Sequence, residues 1–174
     1  MRLPIPVLSA ILVVPTLAAC KDAQKKVDAY NAKLNATEAQ MNLKKIADGA
    51  RAYYEDSLAQ ARSGFAPVAP GFPDSAGPVP ALGSCCKKPE GTCPVEPAAW
   101  DSPTWTLLNF IPRNPHRYSY EFERAADGTA FTARAFGDLD CDGDYSTFEL
   151  FGEIVGEAGE AENAAHHLEI GADK

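Results

Sequence analysis

Aspartates recur at alternate positions through Gly137-Asp138-Leu139-Asp140-Cys141-Asp142-Gly143-Asp144-Tyr145-Ser146-Thr147-Phe148-Glu149, and this stretch limits the fold more tightly than any other. Counted from Asp138, oxygen-bearing side chains fall at positions 1, 3, 5, 9 and 12, with a glycine at position 6, which is the ligand spacing of a calcium loop. A hard divalent cation takes several oxygens at about 2.3–2.6 Å, and alternate residues of a turning loop converge on one point only where a glycine takes the bend. The expected metal ligands are Asp138, Asp140, Asp142 and Asp144, joined by Ser146 and Glu149 where the loop keeps a helical-hand curl. The expected ion is calcium. The competing reading is an acidic turn whose carboxylates are merely solvated.

The flanks of this loop are not helical. Phe131, Ala133 and Ala135 alternate with Thr132, Arg134 and Phe136, and Phe148 and Leu150 alternate with Glu149 and Phe151. A period of two is strand spacing, so the loop is expected to close a β-hairpin and to lack the helix pair that opens in a calcium sensor. Upstream, Tyr118, Tyr120 and Phe122 alternate with Ser119, Glu121 and Glu123, and Asp127-Gly128 supplies a turn signal. The result is a three-stranded, or slightly larger, antiparallel meander with strands from Tyr118 to the turn at Ala126-Asp127-Gly128-Thr129, from about Ala130 to Gly137 and from about Ser146 to Val155, one face of which is free to take a helix.

That helix is expected from Lys21 to about Arg62, a proline-free segment rich in Ala, Lys, Glu, Asp and Gln. Val27, Tyr30, Leu34, Met41, Ile46, Ala50 and Tyr53 lie near helical spacing, densest from Met41 to Leu58, so the second half should lie on the sheet and the first half stand as a stalk. Asn35-Ala36-Thr37-Glu38 is a site for a break or recap, because Asn and Thr compete for backbone hydrogen bonds. The fold class is α+β: one long N-terminal helix packed on the meander.

Between helix and meander, residues 63–99 are dense in proline and glycine and cannot hold a long helix or a central strand. They carry Cys85, Cys86 and Cys93. With Cys141 these make four thiols, and two disulfides are expected, Cys93 pairing with one of Cys85 and Cys86 and Cys141 with the other. A zinc site of four thiolates is the rival arrangement, for which an adjacent Cys-Cys pair is poor spacing. Trp100, Trp105, Leu107, Leu108, Phe110 and Ile111 follow as an apolar cluster. They read either as core under the proline-rich cover or as an aromatic ligand platform.

The front of the chain reads as an export signal. Met1-Arg2 precedes an apolar run from Leu3 to Ala19 that is short and broken by Pro4, Pro6 and Pro15. It ends in Leu17-Ala18-Ala19-Cys20, which resembles the lipobox of bacterial lipoproteins. The resemblance implies removal of residues 1–19 and acylation of Cys20, hence a membrane partner through a lipid anchor and a place in the cell envelope, at the outer membrane, facing periplasm or surface. Several acyl chains anchor stably, each buried methylene contributing about 0.8 kcal/mol. Residues 20–62 are then the anchored stalk and helix, 63–155 the loop and sheet of the head, and 156–174 a mobile tail of Gly, Ala and Glu. His166-His167 in that tail lacks a third metal ligand.

A formal charge of −8 and a pI near 4.8 argue against a nucleic-acid partner, because no basic stripe is present to displace the counterions of a phosphate backbone. No nucleophile–histidine–acid arrangement points to an enzyme either. The order of motifs does suggest a family. Asn42-Leu43-Lys44-Lys45-Ile46, Gly49-Ala50-Arg51-Ala52-Tyr53-Tyr54, Cys85-Cys86, Cys93-Pro94, Trp100, Trp105, Tyr118-Ser119-Tyr120 and Gly137 to Gly143 together resemble type IV pilins and the pseudopilins of type II secretion, in particular the pilin-like proteins common in myxobacteria and their relatives. The resemblance implies a pilin-like head, a calcium site at Asp138, Asp140 and Asp142, and pilus or secretion-system proteins as partners. The pilin leader and its apolar first helix are replaced here by the lipobox. The function it implies is structural or interactive, accessory to such an apparatus; the alternative is an extracellular ligand-binding or adhesion module using the aromatic cluster and the acidic loop.

Overall fold

A computed structural model of the chain describes residues 16–64, 69–154 and 168–171. Its elements are α1 (Thr16–Arg62), β1 (Ala76–Val79), α2 (Pro103–Leu107), β2 (Tyr118–Arg124), β3 (Ala130–Gly137), β4 (Ser146–Glu153) and β5 (Leu168–Gly171). Residues 1–15 of the expected export signal lie outside the described residues, and Cys20 falls within α1. Two units divide the chain, Met1–Leu34 and Asn35–Lys174. In the first, the described side chains Val27, Tyr30 and Leu34 are exposed. No helix among the described residues is long and apolar enough to cross a membrane.

The second unit is a helix on an antiparallel sheet, as the patterning requires. The sheet runs β1-β2-β3-β4-β5, every neighbouring pair antiparallel. The meander β2-β3-β4 has the expected strands, and it is wider by one strand at each edge. β1 comes from the proline-rich stretch. Pro78 is tolerated because β1 is an edge and its register slips between Ala76 and Val79, so no ladder donor is missed. Within the segment expected as a mobile tail, Leu168–Gly171 forms β5 and pairs with Leu150–Thr147 of β4, and the alternation of Leu168 and Ile170 is its signal in the sequence. His166 and His167 lie outside the described residues.

One sheet face carries Tyr118, Tyr120, Phe122, Phe131, Phe148 and Leu150, with Ala133 and Ala135 on the central strand. Small is set against large across the ladder, Ala135 between Tyr120 and Phe148 and Ala133 between Phe122 and Leu150. This leaves room for α1 over the middle of the sheet. The helix answers with Ala39, Leu43, Ile46, Ala47, Ala50 and Tyr54, all buried. Met41, expected in that stripe, is 58% exposed instead. Ala50 was in the expected stripe, and Ala39 and Ala47 join it on the contact face because a short side chain lets the helix approach; weighting the pattern toward large apolar residues such as Met41 turns the stripe away from those two. The proposed break at 35–38 does not occur, since α1 is continuous.

Polar groups also cross this interface. Asn42 Nδ2 donates to the Tyr120 hydroxyl at 2.7 Å, Tyr120 donates to Glu38 Oε1 at 3.2 Å, and the Arg117 backbone N–H donates to the same oxygen at 3.1 Å. Burial, together with the facing Glu38 carboxylate, pushes the Tyr120 phenol well above its usual range, so it remains a donor. Burial likewise raises the Glu38 carboxyl, although the Arg117 and Tyr120 hydrogen bonds pull it down. A raised carboxyl means that the folded state holds its proton more tightly than the unfolded state. The contribution is therefore complete below the ordinary value of 4.5 and is lost as pH rises through the folded value. Glu38→Gln is expected to flatten that part of the stability–pH curve while keeping the acceptor oxygen; thermal melts from pH 4 upward that stay parallel in both proteins would contradict it.

On the opposite face Arg134 binds Glu121, Glu123 and Glu149. Partial burial opposes its charge, but the three carboxylates outweigh this and push the guanidinium above its ordinary range.

Candidate functional site

The acidic loop is built where the β3 and β4 ladder ends. Gly137 pairs with Ser146, and the residues between them leave the sheet. Two left-handed positions bend the loop, Cys141 at φ 64° and Gly143 at φ 97°. Gly143 supplies the turn foreseen at loop position 6. A non-glycine residue in the left-handed region is unusual, and Cys141 is held there by its disulfide to Cys86.

Three of the expected ligands come together. Carboxylate oxygens of Asp138, Asp140 and Asp142 lie within 4.8 Å of one another. Asp138 Oδ1 is shielded from solvent and has no hydrogen-bond partner. Unpaired polar atoms of this kind are uncommon in folded proteins, and an oxygen left without a donor beside two further carboxylates suits a cation. The remaining candidates are placed elsewhere. The Asp144 backbone N–H donates to Asp142 Oδ1 at 2.8 Å, so that residue helps to orient Asp142, and its own carboxylate is outside the cluster. The Ser146 hydroxyl donates to the Gly137 carbonyl at 2.9 Å, tying the mouth of the loop. Glu149 is three residues inside β4, where it accepts from Arg134. Ser146 and Glu149 needed a helical curl, and the start of β4 at Ser146 replaces that curl with extended chain.

Both disulfides form, Cys85–Cys93 and Cys86–Cys141, which settles the pairing that the sequence left open and excludes four thiolates on one zinc. The first closes a short loop that carries two 3-10 turns, Cys85–Lys87 and Pro89–Gly91. The second spans 55 positions and fastens the proline-rich segment to the acidic loop. Cys93 is further held by paired backbone hydrogen bonds with His116 at 2.8 and 3.0 Å. His116 is buried, and burial keeps its imidazole below the usual range.

The aromatic cluster is core. Trp100, Trp105, Leu108 and Phe110 are at most 2% exposed, and the Trp100 ring packs edge-on against Trp105 and Phe110. Leu107 and Ile111 are exposed. A cleft of about 380 Å³ opens beside this cluster, lined by Trp100, Trp105 and Phe110 with Asp101, Asn109 and Ile111. The indole nitrogen of Trp105 is buried without a hydrogen-bond partner.

No family model matches the chain, and neither curated proteins nor solved structures give a match.

Proposed function

We propose that this chain is an exported, lipid-anchored protein whose pilin-like head has a structural or interaction role at the cell envelope, accessory to a pilus or secretion apparatus, with the acidic loop bound to calcium. The observation that carries the reading is the junction of the acidic loop with Cys86: three converging carboxylates, one oxygen of them orphaned, clamped by a disulfide to the segment that covers the core. Disulfides favour an oxidising compartment. The helix-on-sheet head with a disulfide-tied loop supports the pilin-like reading, and Leu17-Ala18-Ala19-Cys20 supports the anchor.

In this reading Asp138, Asp140 and Asp142 hold the ion, and Asp144 orients Asp142. Calcium offsets the mutual repulsion of the three carboxylates in the loop that Cys141 ties to Cys86. Extracellular modules bind at about 10⁻⁴–10⁻³ M, and calcium at 5–10 times the dissociation constant adds about 1–1.5 kcal/mol. That corresponds to a rise of about 2–6 °C in Tm, which Asp140→Asn is expected to remove. A melting curve indifferent to millimolar calcium and to chelator would remove calcium from the account.

The anchor is tested separately. Expressed in a bacterium with its own lipidation machinery, the protein is expected to partition into detergent, and Cys20→Ser to move it to the aqueous phase. Unchanged partitioning would point to a different attachment. Recovery of pilus or secretion proteins with the anchored form supports the interaction role. The alternative, an adhesion module, is narrowed to the cleft beside Trp105, since the tryptophans themselves are buried; saturable binding of a glycan by the soluble head would favour it.

A further inference from the structure

The two disulfides differ in access. Cys85 and Cys93 are 6% and 4% exposed, whereas Cys141 lies on the exposed loop. Thiol–disulfide exchange needs a thiolate to reach a sulfur, so the Cys86–Cys141 bond is open to attack at Cys141 while Cys85–Cys93 is shielded. Beneath the exposed bond, the sulfurs of Cys86 and Cys141 and a carboxylate oxygen of Asp138 lie within 4.8 Å of one another.

We propose that Cys86–Cys141 is a reducible bond and that, once open, Cys86, Cys141 and Asp138 form a site for a thiolate-seeking divalent cation such as zinc. The reductant is an external dithiol. Its thiolate attacks Cys141 Sγ, forming a mixed disulfide and releasing Cys86 as a thiolate. The second dithiol sulfur then closes on the first, releasing Cys141 and leaving the reductant as a cyclic disulfide. Two electrons enter the protein. The two protons of the dithiol pass through solvent to the released thiolates, and leave to solvent again as the two sulfurs take the metal.

The geometry fits that ion. Two thiolates at about 2.3 Å from a tetrahedral zinc stand about 3.8 Å apart, a small displacement for two sulfurs that begin bonded. Asp138 supplies the third ligand and water the fourth, the number left by three protein donors. Two thiolates and a carboxylate against a divalent ion leave one net negative charge. Arg117 lines the same small hollow as Cys86 and Asp138 and offsets it. This site uses two sulfurs and leaves Cys85–Cys93 intact, unlike a four-thiolate zinc site. Asp138 also belongs to the trio assigned to calcium, so the two ions compete for its carboxylate. That last consequence rests on the calcium reading, whereas the sulfur site does not.

The test begins with the purified oxidised chain titrated with dithiothreitol, trapped with iodoacetamide and mapped by mass spectrometry. Cys86 and Cys141 are expected to be alkylated at a reductant concentration that leaves Cys85 and Cys93 bonded. The partly reduced protein, desalted anaerobically, then receives cobalt(II) as a probe for zinc. A near-ultraviolet sulfur-to-cobalt charge-transfer band is expected, displaced by zinc, absent from the oxidised protein and from Cys86→Ser/Cys141→Ser. Asp138→Asn is expected to weaken cobalt binding at least tenfold while leaving the order of reduction unchanged. Simultaneous reduction of both bonds, loss of the near-ultraviolet tryptophan dichroism at the first reduction step, or reduced protein without the band would each overturn the proposal. None of these readouts involves calcium, so failure of the calcium reading leaves the result interpretable.

Discussion

Gly49→Ala is expected to destabilise the head by about 2–4 kcal/mol, against the direction of the usual helix rule. Within a helix, alanine is ordinarily better than glycine by about 1 kcal/mol. Here a Cβ on Gly49 would overlap the Leu108 carbonyl oxygen and stand 2.9 Å from its carbonyl carbon. That neighbour cannot swing away, because it is backbone: the Leu108 N–H donates to the Thr104 carbonyl at 2.9 Å, and its side chain is buried beside Trp105. The helix has to lift from α2, and overpacking of that kind costs about 1–3 kcal/mol or more, with the loss of helix contacts added. A fall of about 4–16 °C in Tm follows. Gly77→Ala is the control. Nothing lies within 4 Å of its Cβ position, and its effect is expected to stay within about 0.5 kcal/mol. If Gly49→Ala were to melt higher than the parent, the close approach of α1 to Leu108 would be wrong.

Removing the two disulfides one at a time should give unequal losses. Cys86–Cys141 joins positions 55 apart and Cys85–Cys93 positions 8 apart. On the chain-entropy scale the long closure contributes about 4 kcal/mol and the short one about 2.5 kcal/mol. The Cys86→Ser/Cys141→Ser protein is therefore expected to lose about 8–16 °C, and Cys85→Ser/Cys93→Ser less. Chemical denaturation with both pairs measured under one condition decides it. Equal losses, or a larger one for the short loop, would mean that local packing around Cys93 and His116 outweighs the restriction of the unfolded chain. The order matters for function, since the bond that stabilises most is also the exposed one and the one that fastens the acidic loop. Opening it would release the acidic loop from the proline-rich segment.

Much of this architecture was written in local patterns. The three meander strands were legible because Tyr118 to Glu123 and Phe131 to Phe136 alternate cleanly, and a period of two has one interpretation when a face is buried. The acidic loop was equally plain: Asp138, Asp140 and Asp142 converge because Gly143 permits the bend. Its outer ligands were misplaced. Extending the count to Ser146 and Glu149 assumed a loop followed by a helix, whereas the hairpin that the same alternation implied returns those residues to β4 and to Gly137 and Arg134.

What the chain alone determined, then, is whatever depends on neighbours a few positions away: helix, strands, turns, and the cysteine count that requires two cross-links. Only the tertiary structure decided which cysteine meets which, because Cys85 and Cys86 are interchangeable in sequence and are separated only by the direction each takes from one 3-10 turn. The face α1 presents was also decided there, since its alanines matter through the sheet they approach. The chain from Asn42 through Tyr120 to Glu38 joins residues 78 and 82 positions apart. No periodicity records such a pairing, because its energy exists only once burial has removed the water that would otherwise compete for each hydrogen bond.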